Sequence, residues 1–357
     1  MSDRAFQPEH PPADRAPGGE SSASPVKIAI ARRALPPYPS GWYVLAFTDE
    51  LSAEQMLIRP FTGRELVLWR THAGRVAAMD AYCPHLGAHF GHGGRVEGER
   101  LRCPFHGFCF DPAGHCVATG YGGKVPPTAT IETWPVREQN GMILVWHGTK
   151  GAAPTWEVPA IETRGWSTPV HRRFVLGAHP QETTENSVDL GHFAHVHGYR
   201  EVRMMRDVVV DGPYLSTAFA AHRPLPLVGG WSTAHFDFEF ETHIHGLGYS
   251  MVDVRVRGFD IHARLWVLPA PIDGERITLH VAASGDGTGD DVHPWLRPIP
   301  RRLRAAAIGR GMLLALAADA RQDFAIWQHK RYVSPPALAI GDGPIGKYRT
   351  WAAQFYA

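Results

Sequence analysis

The stretch from Glu185 to His197 concentrates side chains that can bind a metal ion. It holds two carboxylates and three histidines within thirteen residues, ENSVDLGHFAHVH. Asp189, His192 and His197 form a set of one acid and two histidines, and such a set with open positions is what non-haem Fe(II) oxygenases use. The alternative is an amphipathic helix whose histidines are only solvated, because short metal motifs also arise by chance.

Helix geometry limits which of these histidines can share a metal. On an ideal helix of 3.6 residues per turn, His192 and His197 lie about 140° apart. They can meet only if the helix ends, loosens or takes a π-bulge between them. Gly198 is typical of a helix stop. His195 lies three residues after His192, on the same helical face, and spacing alone does not exclude it.

Two loops upstream carry a second set of ligands. Their sequences are CPHLG and CPFHG, so the pattern is C-x-H, seventeen residues, then C-x2-H. Two thiolates and two imidazoles can hold tetrahedral zinc or a Rieske-type [2Fe–2S] cluster. Zinc fingers usually pair ligands of one kind, whereas here each loop carries one cysteine and one histidine. The pattern therefore favours a Rieske cluster held by Cys83, His85, Cys103 and His106.

The other cysteines fit no disulfide framework. The chain has four cysteines in 357 residues, all within a short segment, and Cys109 and Cys116 are best interpreted as small buried apolar side chains. Net charge is +1 with 36 basic and 35 acidic residues, which does not indicate a nucleic-acid partner. No signal-peptide pattern and no apolar run long enough to span a membrane is present, so we expect a cytoplasmic protein.

The remaining sequence divides into a tail and two domains. Residues 1–26 are rich in Pro, Ser, Gly and charge, and we expect a disordered tail. Residues 27–150 surround the cysteine loops with strand patterns, and residues 151–357 form the second domain. In that domain several segments alternate with period two, which predicts an antiparallel sheet with one apolar face. A long helix is predicted from Arg301 to about Lys330, with Asp319, Asp323 and Trp327 on one face.

Together these motifs resemble the α subunit of the Rieske non-haem iron oxygenases. The segments that carry the resemblance are CPHLGAH, CPFHG, ENSVDLGHFAHVH and QDFAIWQHKRY. The chain looks most similar to the oxygenase components of 3-ketosteroid 9α-hydroxylases and to the cholesterol 7-desaturase group. The resemblance implies an α+β protein: an N-terminal all-β Rieske domain, then a catalytic domain whose antiparallel sheet is covered by helices in a helix-grip arrangement.

The resemblance also implies a role for individual residues. The mononuclear iron would be bound by His192, His197 and Asp323, with Asp319 as an alternative third ligand. Asp189 would be a bridge for electrons, bonding His192 in its own chain and His106 of a neighbouring subunit. Asn186 would order the surroundings of the iron or cap a helix N-terminus. The second loop continues Gly107-Phe108 where the family often has Gly-Trp, which leaves the ligands unaffected.

The activity implied is that of an oxygenase component in a homotrimer. A reductase or ferredoxin would supply electrons, with NAD(P)H acting only through that partner, and O2 would be the second substrate. We expect hydroxylation of a steroid-like or other large apolar molecule. Sterol desaturation and oxygenation of an aromatic ring or amine use the same ligands and stay open. A Rieske electron-transfer protein without oxygenase activity is the alternative from another class.

Overall fold

The computed structural model describes residues 35–226, 233–258, 261–288 and 298–357. The expected tail, residues 1–26, lies outside these ranges. The first part of the described chain consists of short strands: β1 Gly41–Phe47, β2 Met56–Phe61, β3 Arg64–Arg70, β4 Val76–Asp80, β5 Arg95–Glu97, β6 Arg100–Arg102, β7 Cys109–Phe110, β8 Cys116–Ala118, β9 Thr133–Trp134, β10 Val136–Gln139 and β11 Met142–His147.

These strands form three small antiparallel sheets in the described part of the chain, ordered β1-β11-β10, β2-β3-β4-β9 and β5-β6-β7-β8. β3 and β4 pair as an antiparallel hairpin. β1 is buried along its whole length, as its apolar sequence GWYVLAF requires. The four-stranded sheet β5-β6-β7-β8 carries the two cysteine loops, and their apolar residues share one core with Trp69 and Met79.

The second part of the chain is built around one large sheet. Its elements are β12 Val170–Gly177, α1 Pro180–Glu185, α2 Leu190–His195, β13 Arg200–Asp211, β14 Tyr214–Pro226, β15 Thr233–His245, β16 Tyr249–Arg257, β17 Ile261–Pro271, β18 Arg276–Gly285, α3 Arg301–His329 and α4 Ile345–Ala352. Within the described residues the sheet has seven antiparallel strands, ordered β12-β18-β17-β16-β15-β14-β13. The predicted antiparallel sheet and the long helix are therefore present.

Helix α3 covers one face of this sheet. Half of its buried residues are alanine or glycine, which lets it lie close to β18. At Gly285 of β18 a Cβ atom would come within 2.4 Å of the carbonyl oxygen of Ala305, so only glycine permits this approach. Phe236, Phe238 and Phe240, at alternate positions of β15, pack in the same core. The far end of the helix lies against the edge strand β12, where Phe324 packs on Phe174.

The two parts of the chain share a core. Trp42, Val44 and Phe47 of β1 pack with Trp266 and Leu268 of β17. Burial of such large side chains stabilises the contact by roughly 2 kcal/mol each. β1 therefore contributes side chains both to the core of the first part of the chain and to the core that the two parts share.

Among the helices of the described chain, none combines the length and the apolar character needed to cross a bilayer.

Candidate metal centres

The two cysteine loops are folded by the same hydrogen-bond pattern. Cys83 N–H donates to Ala88 O at 2.8 Å, and Cys103 N–H donates to Phe108 O at 2.8 Å. Each loop turns through a glycine with positive φ, Gly87 at 74° and Gly107 at 65°. At Gly107 a Cβ would also meet the Cα of Gly120 at 3.0 Å, so the second loop requires glycine twice over.

These loops bring the four predicted cluster ligands together. The rings of His85 and His106 lie 4.7 Å apart, and the thiols of Cys83 and Cys103 are buried and free. Burial raises the pKa of the Cys83 thiol to about 12, and its contact with Cys103 adds to the shift. The buried Nδ1 of His106 has no hydrogen-bond partner in the described part of the chain. Such a set of open donors fits a Rieske cluster.

The departure from Gly-Trp in the second loop has a structural counterpart. Phe108 stacks on the His85 ring with centroids 4.3 Å apart and planes 11° apart. Cys109 is buried on β7, as expected, and Cys116 is partly buried on β8. Their thiols donate to backbone carbonyls, at 3.4 Å and 3.3 Å respectively, and are not among the four gathered ligands.

The histidine stretch folds into two short helices rather than one. α1 ends at Glu185 and α2 begins after Asp189, whose carboxylate accepts the His192 N–H at 3.1 Å as an N-cap. α2 is six residues long and ends at His195, and Gly198 has a φ of 70°. Of the three ways in which the two histidines could meet, the structure shows the helix end, which lets both rings turn to one side.

His192, His197 and Asp323 offer ligand atoms that lie within 4.8 Å of one another. The Nε2 atoms of the two histidines are 3.1 Å apart, and Asp323 Oδ2 lies 3.5 Å from His197 Nε2. Asp323 is buried on α3, with a relative exposure of 5%. This is the set of two imidazoles and one carboxylate that the family resemblance implies. The carboxylate of Asp189, which the spacing first suggested, is not part of this group.

The second nitrogen of each ring fixes its orientation. His192 Nδ1 donates to the backbone carbonyl of Asp189 at 2.8 Å, and His197 Nδ1 donates to Gln322 Oε1 at 2.9 Å. Both Nε2 atoms are then acceptors, and two lone pairs aimed at one point do not bond to each other. Burial lowers the pKa of His192. Burial also opposes protonation of His197, but Asp323 and Gln322 outweigh it and raise its pKa. A divalent cation between the three side chains satisfies all of them.

The two competing ligands lie elsewhere. His195 is exposed on α2 and takes no part in the group. Asp319 is held by Arg223, with Nη1 2.7 Å from Oδ2 and Nη2 2.6 Å from Oδ1. Asp323, rather than Asp319, therefore stands beside the histidines.

Asp189 and Asn186 differ in detail from expectation. The His192 ring bonds the main-chain oxygen of Asp189 instead of its carboxylate, which is used to cap α2. The suggestion that Asn186 caps a helix N-terminus is wrong, because it stands at the C-terminal end of α1. Capping falls to Asp189 because the chain breaks its helix there, which helical periodicity does not reveal. Asn186 does line the cavity beside the histidines.

A cavity of about 480 Å³ opens beside His192, His197 and Asp323. Its walls are mostly apolar and come from α1, α2, the sheet and α3; they include Phe193, Phe236, Phe238, Phe240, Val252, Leu265, Met312, Leu316 and Trp327. A few polar side chains interrupt them. This combination is typical of a site for a small apolar molecule with a few orienting contacts.

Sequence inspection missed three polar residues of this site. Gln322, the first residue of the segment QDFAIWQHKRY, was given no role because nothing in the sequence shows that it bonds a histidine 125 positions away. Tyr199 and Arg223 were overlooked because β13 and β14, which run from Arg200 to Pro226, were not predicted. β13 is largely exposed and interrupted by register shifts, so its alternation is weak. Arg223 would have been found only by pairing it with Asp319, far away in the sequence.

Two family descriptions match the chain. The Rieske [2Fe-2S] domain matches residues 41–135, and the 3-ketosteroid 9alpha-hydroxylase C-terminal domain matches residues 145–356. The second covers more than half of the 357 residues. The chain belongs to the Rieske oxygenase family. The predicted fold class and the assignment to the oxidoreductases are thereby confirmed.

Two curated relatives of this Rieske oxygenase carry different names. It is 30% identical to a cholesterol 7-desaturase of Bombyx mori, with 96% of this chain and 76% of that protein covered. It is 29% identical to a probable 3-ketosteroid-9-alpha-monooxygenase oxygenase component of Rhodococcus rhodochrous, covering 89% and 80%.

Solved structures show the same fold for this Rieske oxygenase. Dicamba monooxygenase bound to dicamba aligns with a TM-score of 0.63 at 21% identity, covering 88% of this chain and 96% of that one. NdmA of Pseudomonas putida CBB5 aligns with a TM-score of 0.65 at 17% identity, covering 87% and 88%.

Proposed function

We propose that this Rieske oxygenase is the oxygenase component of a monooxygenase that hydroxylates a steroid-like or other large apolar substrate. The observation that carries the proposal is the position of the apolar cavity, directly beside His192, His197 and Asp323. A purely electron-transferring protein would have no need of that cavity. The relatives named for cholesterol and for 3-ketosteroids support a steroid-like substrate.

The proposed metal ligands are His192, His197 and Asp323 for a mononuclear iron, and Cys83, His85, Cys103 and His106 for the [2Fe–2S] cluster. When bound, the cluster would supply single electrons and the iron would supply the site at which O2 reacts. The chain's own contribution is to orient both imidazoles, to exclude water with aromatic walls and to hold the substrate. Low polarity around the centre strengthens its electrostatic contacts with the substrate.

Electrons would come from a reductase or ferredoxin, with NAD(P)H as the indirect source. A homotrimer, with Asp189 as the bridge to a neighbouring cluster domain, is supported by the exposed apolar tips of the cluster loops. Leu86 is 66% exposed and Phe105 is 63% exposed, next to the cluster histidines. Asn186 would help order the substrate side of the iron.

We place the domain boundary near residue 150, with a Rieske domain over 27–150 and a catalytic domain over 151–357. A cytoplasmic location is supported by the cysteines, all of which are free thiols.

Sterol desaturation is the second candidate, and it is favoured by the cholesterol 7-desaturases among the relatives. The same cavity and ligands serve both outcomes. A mass-spectrometric screen with a surrogate reductase distinguishes them, using 3-keto steroids, sterols and small aromatic compounds. One added oxygen marks monooxygenation, and loss of two hydrogens marks desaturation. Turnover of the aromatic compounds alone would exclude a steroid-like substrate.

The metal centres are tested with His192→Ala and its matched control His195→Ala, which changes an exposed histidine on the same helix. We expect His192→Ala to keep the reduced-cluster EPR signal while losing mononuclear iron and turnover. His195→Ala should keep all three. Zinc in place of iron, without a reduced-cluster signal in the wild type, would contradict the proposal.

A further inference from the structure

A buried ion pair interrupts the apolar wall of the cavity. Arg223 of β14 meets Asp319 of α3 through two hydrogen bonds, of 2.7 Å and 2.6 Å. Both side chains are largely buried, with relative exposures of 18% and 15%. Arg223 also donates to the Tyr199 hydroxyl at 3.2 Å and lies 5.0 Å from the centre of that ring. All three side chains line the cavity.

Lining a cavity wall with a buried ion pair is energetically unfavourable. Removing two charges from water costs several kcal/mol per ion, and well-packed apolar residues often replace a buried pair without loss of stability. The pair therefore calls for a use beyond stability. Asp319 and Tyr199 hold the guanidinium plane on two sides, which removes most of its rotational freedom. A fixed donor of this kind discriminates between ligands better than a flexible one.

The donors of Arg223 are only partly used. Its bonds to Asp319 and Tyr199 involve both hydrogens of Nη1 and one of Nη2. In the part of the chain that the structure describes, Nε and the second Nη2 hydrogen make no hydrogen bond. An acceptor atom on a molecule in the cavity could receive them.

Charge decides what kind of acceptor fits. Asp319 already neutralises Arg223, and Asp323 lies one helical turn further along α3. A carboxylate on the ligand would meet two neighbouring anions and compete with Asp319 for the same guanidinium. A ketone or hydroxyl oxygen accepts a hydrogen bond without adding charge, and the apolar walls favour an otherwise apolar molecule.

We propose that Arg223, held in position by Asp319 and Tyr199, determines specificity by binding one neutral carbonyl or hydroxyl oxygen of an otherwise apolar substrate. This inference rests on the proposed function, because it concerns the substrate of the same cavity. Since Asp319 and Asp323 are one turn apart, roughly 6 Å along the helix, the bound oxygen lies close to the metal ligands. Which carbon atom of the substrate is oxidised then depends on how far that carbon lies from the oxygen bound to Arg223.

The test compares matched ligands that differ only in the oxygen. We would measure Kd by tryptophan fluorescence, since Trp327 lines the cavity, for a 3-keto steroid and its 3-deoxy analogue, and for cholesterol and cholest-5-ene. The protein is the full chain loaded with iron and cluster. We expect at least one oxygenated member to bind about tenfold tighter than its analogue, the ratio typical of one hydrogen bond to a charged group.

The decisive variant is the double substitution Arg223→Met with Asp319→Leu, which leaves no buried charge without a partner. It should abolish the preference for the oxygenated ligand while the Kd of the deoxy analogue stays within about twofold of wild type. Arg206→Met is the matched control, because it breaks the ion pair of Arg206 with Glu241 on the same sheet, outside the cavity lining. It should keep the preference.

The outcomes separate this inference from the proposed function. If the oxygenated ligand is oxidised but the double variant keeps the preference, the inference is wrong and the oxygenase proposal stands. If the preference depends on Arg223 and no ligand is oxidised, the oxygenase proposal is wrong and the recognition stands. Tighter binding of a 3-carboxylate steroid would overturn the choice of a neutral acceptor. If none of the steroids binds, both the steroid class and the inference are wrong.

Discussion

In the candidate iron site, hydrogen bonds fix which nitrogen of His192 and of His197 carries the proton. His192 Nδ1 faces a backbone carbonyl, which can only accept, so its Nε2 must carry the lone pair. His197 is set in the same tautomer by Gln322. A histidine ligand whose other nitrogen is bonded in this way keeps its direction and gains basicity. Gln322 is therefore as much a part of the site as Asp323 beside it.

Substitution of Gln322 should weaken metal binding without removing a ligand. We expect Gln322→Leu to lower iron affinity by about 10- to 100-fold, because His197 loses the bond that orients it. Competition with a chelator, followed by iron analysis, measures the change. Gln354→Leu, at the far end of the chain, is the control and should leave affinity unchanged. Equal affinities for both variants would show that Gln322 does not orient the ring.

Asp189 combines a structural role with the proposed electron bridge, and two substitutions separate them. Asparagine caps helices as well as aspartate, so Asp189→Asn should unfold at nearly the wild-type urea concentration. Its turnover should still fall at least tenfold, with the cluster reducible by the donor as before. Asp189→Ala should lose about 1 kcal/mol of unfolding free energy in addition. Wild-type turnover in Asp189→Asn would leave Asp189 with the capping role alone.

At the scale of elements, the site depends on how α1 and α2 are held. Arg349 of α4 binds Glu185 of α1 through bonds of 2.6 Å and 2.9 Å, and it lies 4.6 Å from the ring centre of Tyr332. Tyr348 donates to the backbone oxygen of Gln181 at 2.8 Å. The C-terminal helix thus fastens α1, the element that leads into the stretch with His192 and His197.

Breaking the contact between Arg349 and Glu185 should lower the free energy of unfolding strongly. Arg349→Leu leaves the Glu185 carboxylate buried without its partner, so we expect a loss of about 3 kcal/mol in urea unfolding. Lys347→Leu is a matched control on the same helix, since it removes an exposed pair with Asp207 and should have little effect on urea unfolding. Similar losses for both variants would mean that the Glu185 contact is not a buried pair in solution.

Much of this arrangement was predictable from local sequence signals, and the rest depends on long-range pairing. The cysteine loops are set by residue type and spacing within short segments, so the four candidate cluster ligands could be named. The helix break between His192 and His197 followed from geometry once both were assumed to bind one metal. In contrast, the carboxylate of Asp189 and the Arg223–Asp319 pair depend on which backbone groups and strands meet. Neither leaves a periodic trace in the sequence.

At the scale of the whole molecule, a buried histidine lies where the β1-β11-β10 sheet packs against the seven-stranded sheet. His280 of β18 is 1% exposed, and its ring centre lies 5.7 Å from the ring centre of Phe47 on β1. Burial, assisted by Arg59, Arg173 and His171, lowers its pKa from 6.5 to about 3. Between these values the unfolded chain binds a proton that the folded chain does not. Stability is therefore full above pH 6.5 and declines as the pH falls toward 3.

Replacing His280 should flatten that decline. We expect the unfolding free energy of His280→Leu to fall less steeply than that of wild type between pH 6.5 and 4, measured on chelator-treated protein. Some slope should remain, because burial also lowers the pKa of His245, to about 4. An unchanged slope would mean that His280 is accessible to protons in the folded protein.

The distance along the chain between the two halves of the candidate iron site has a practical consequence. His197 and Gln322 are 125 positions apart, and β13 to β18 lie between them. An ion bound by both His197 and Asp323 would link the two ends of that segment reversibly. A ligand present at 100-fold excess over its Kd adds about 2.7 kcal/mol of stability. The melting temperature then serves as a gauge of metal occupancy. A purified batch can be graded by a thermal scan with and without chelator before any substrate is known.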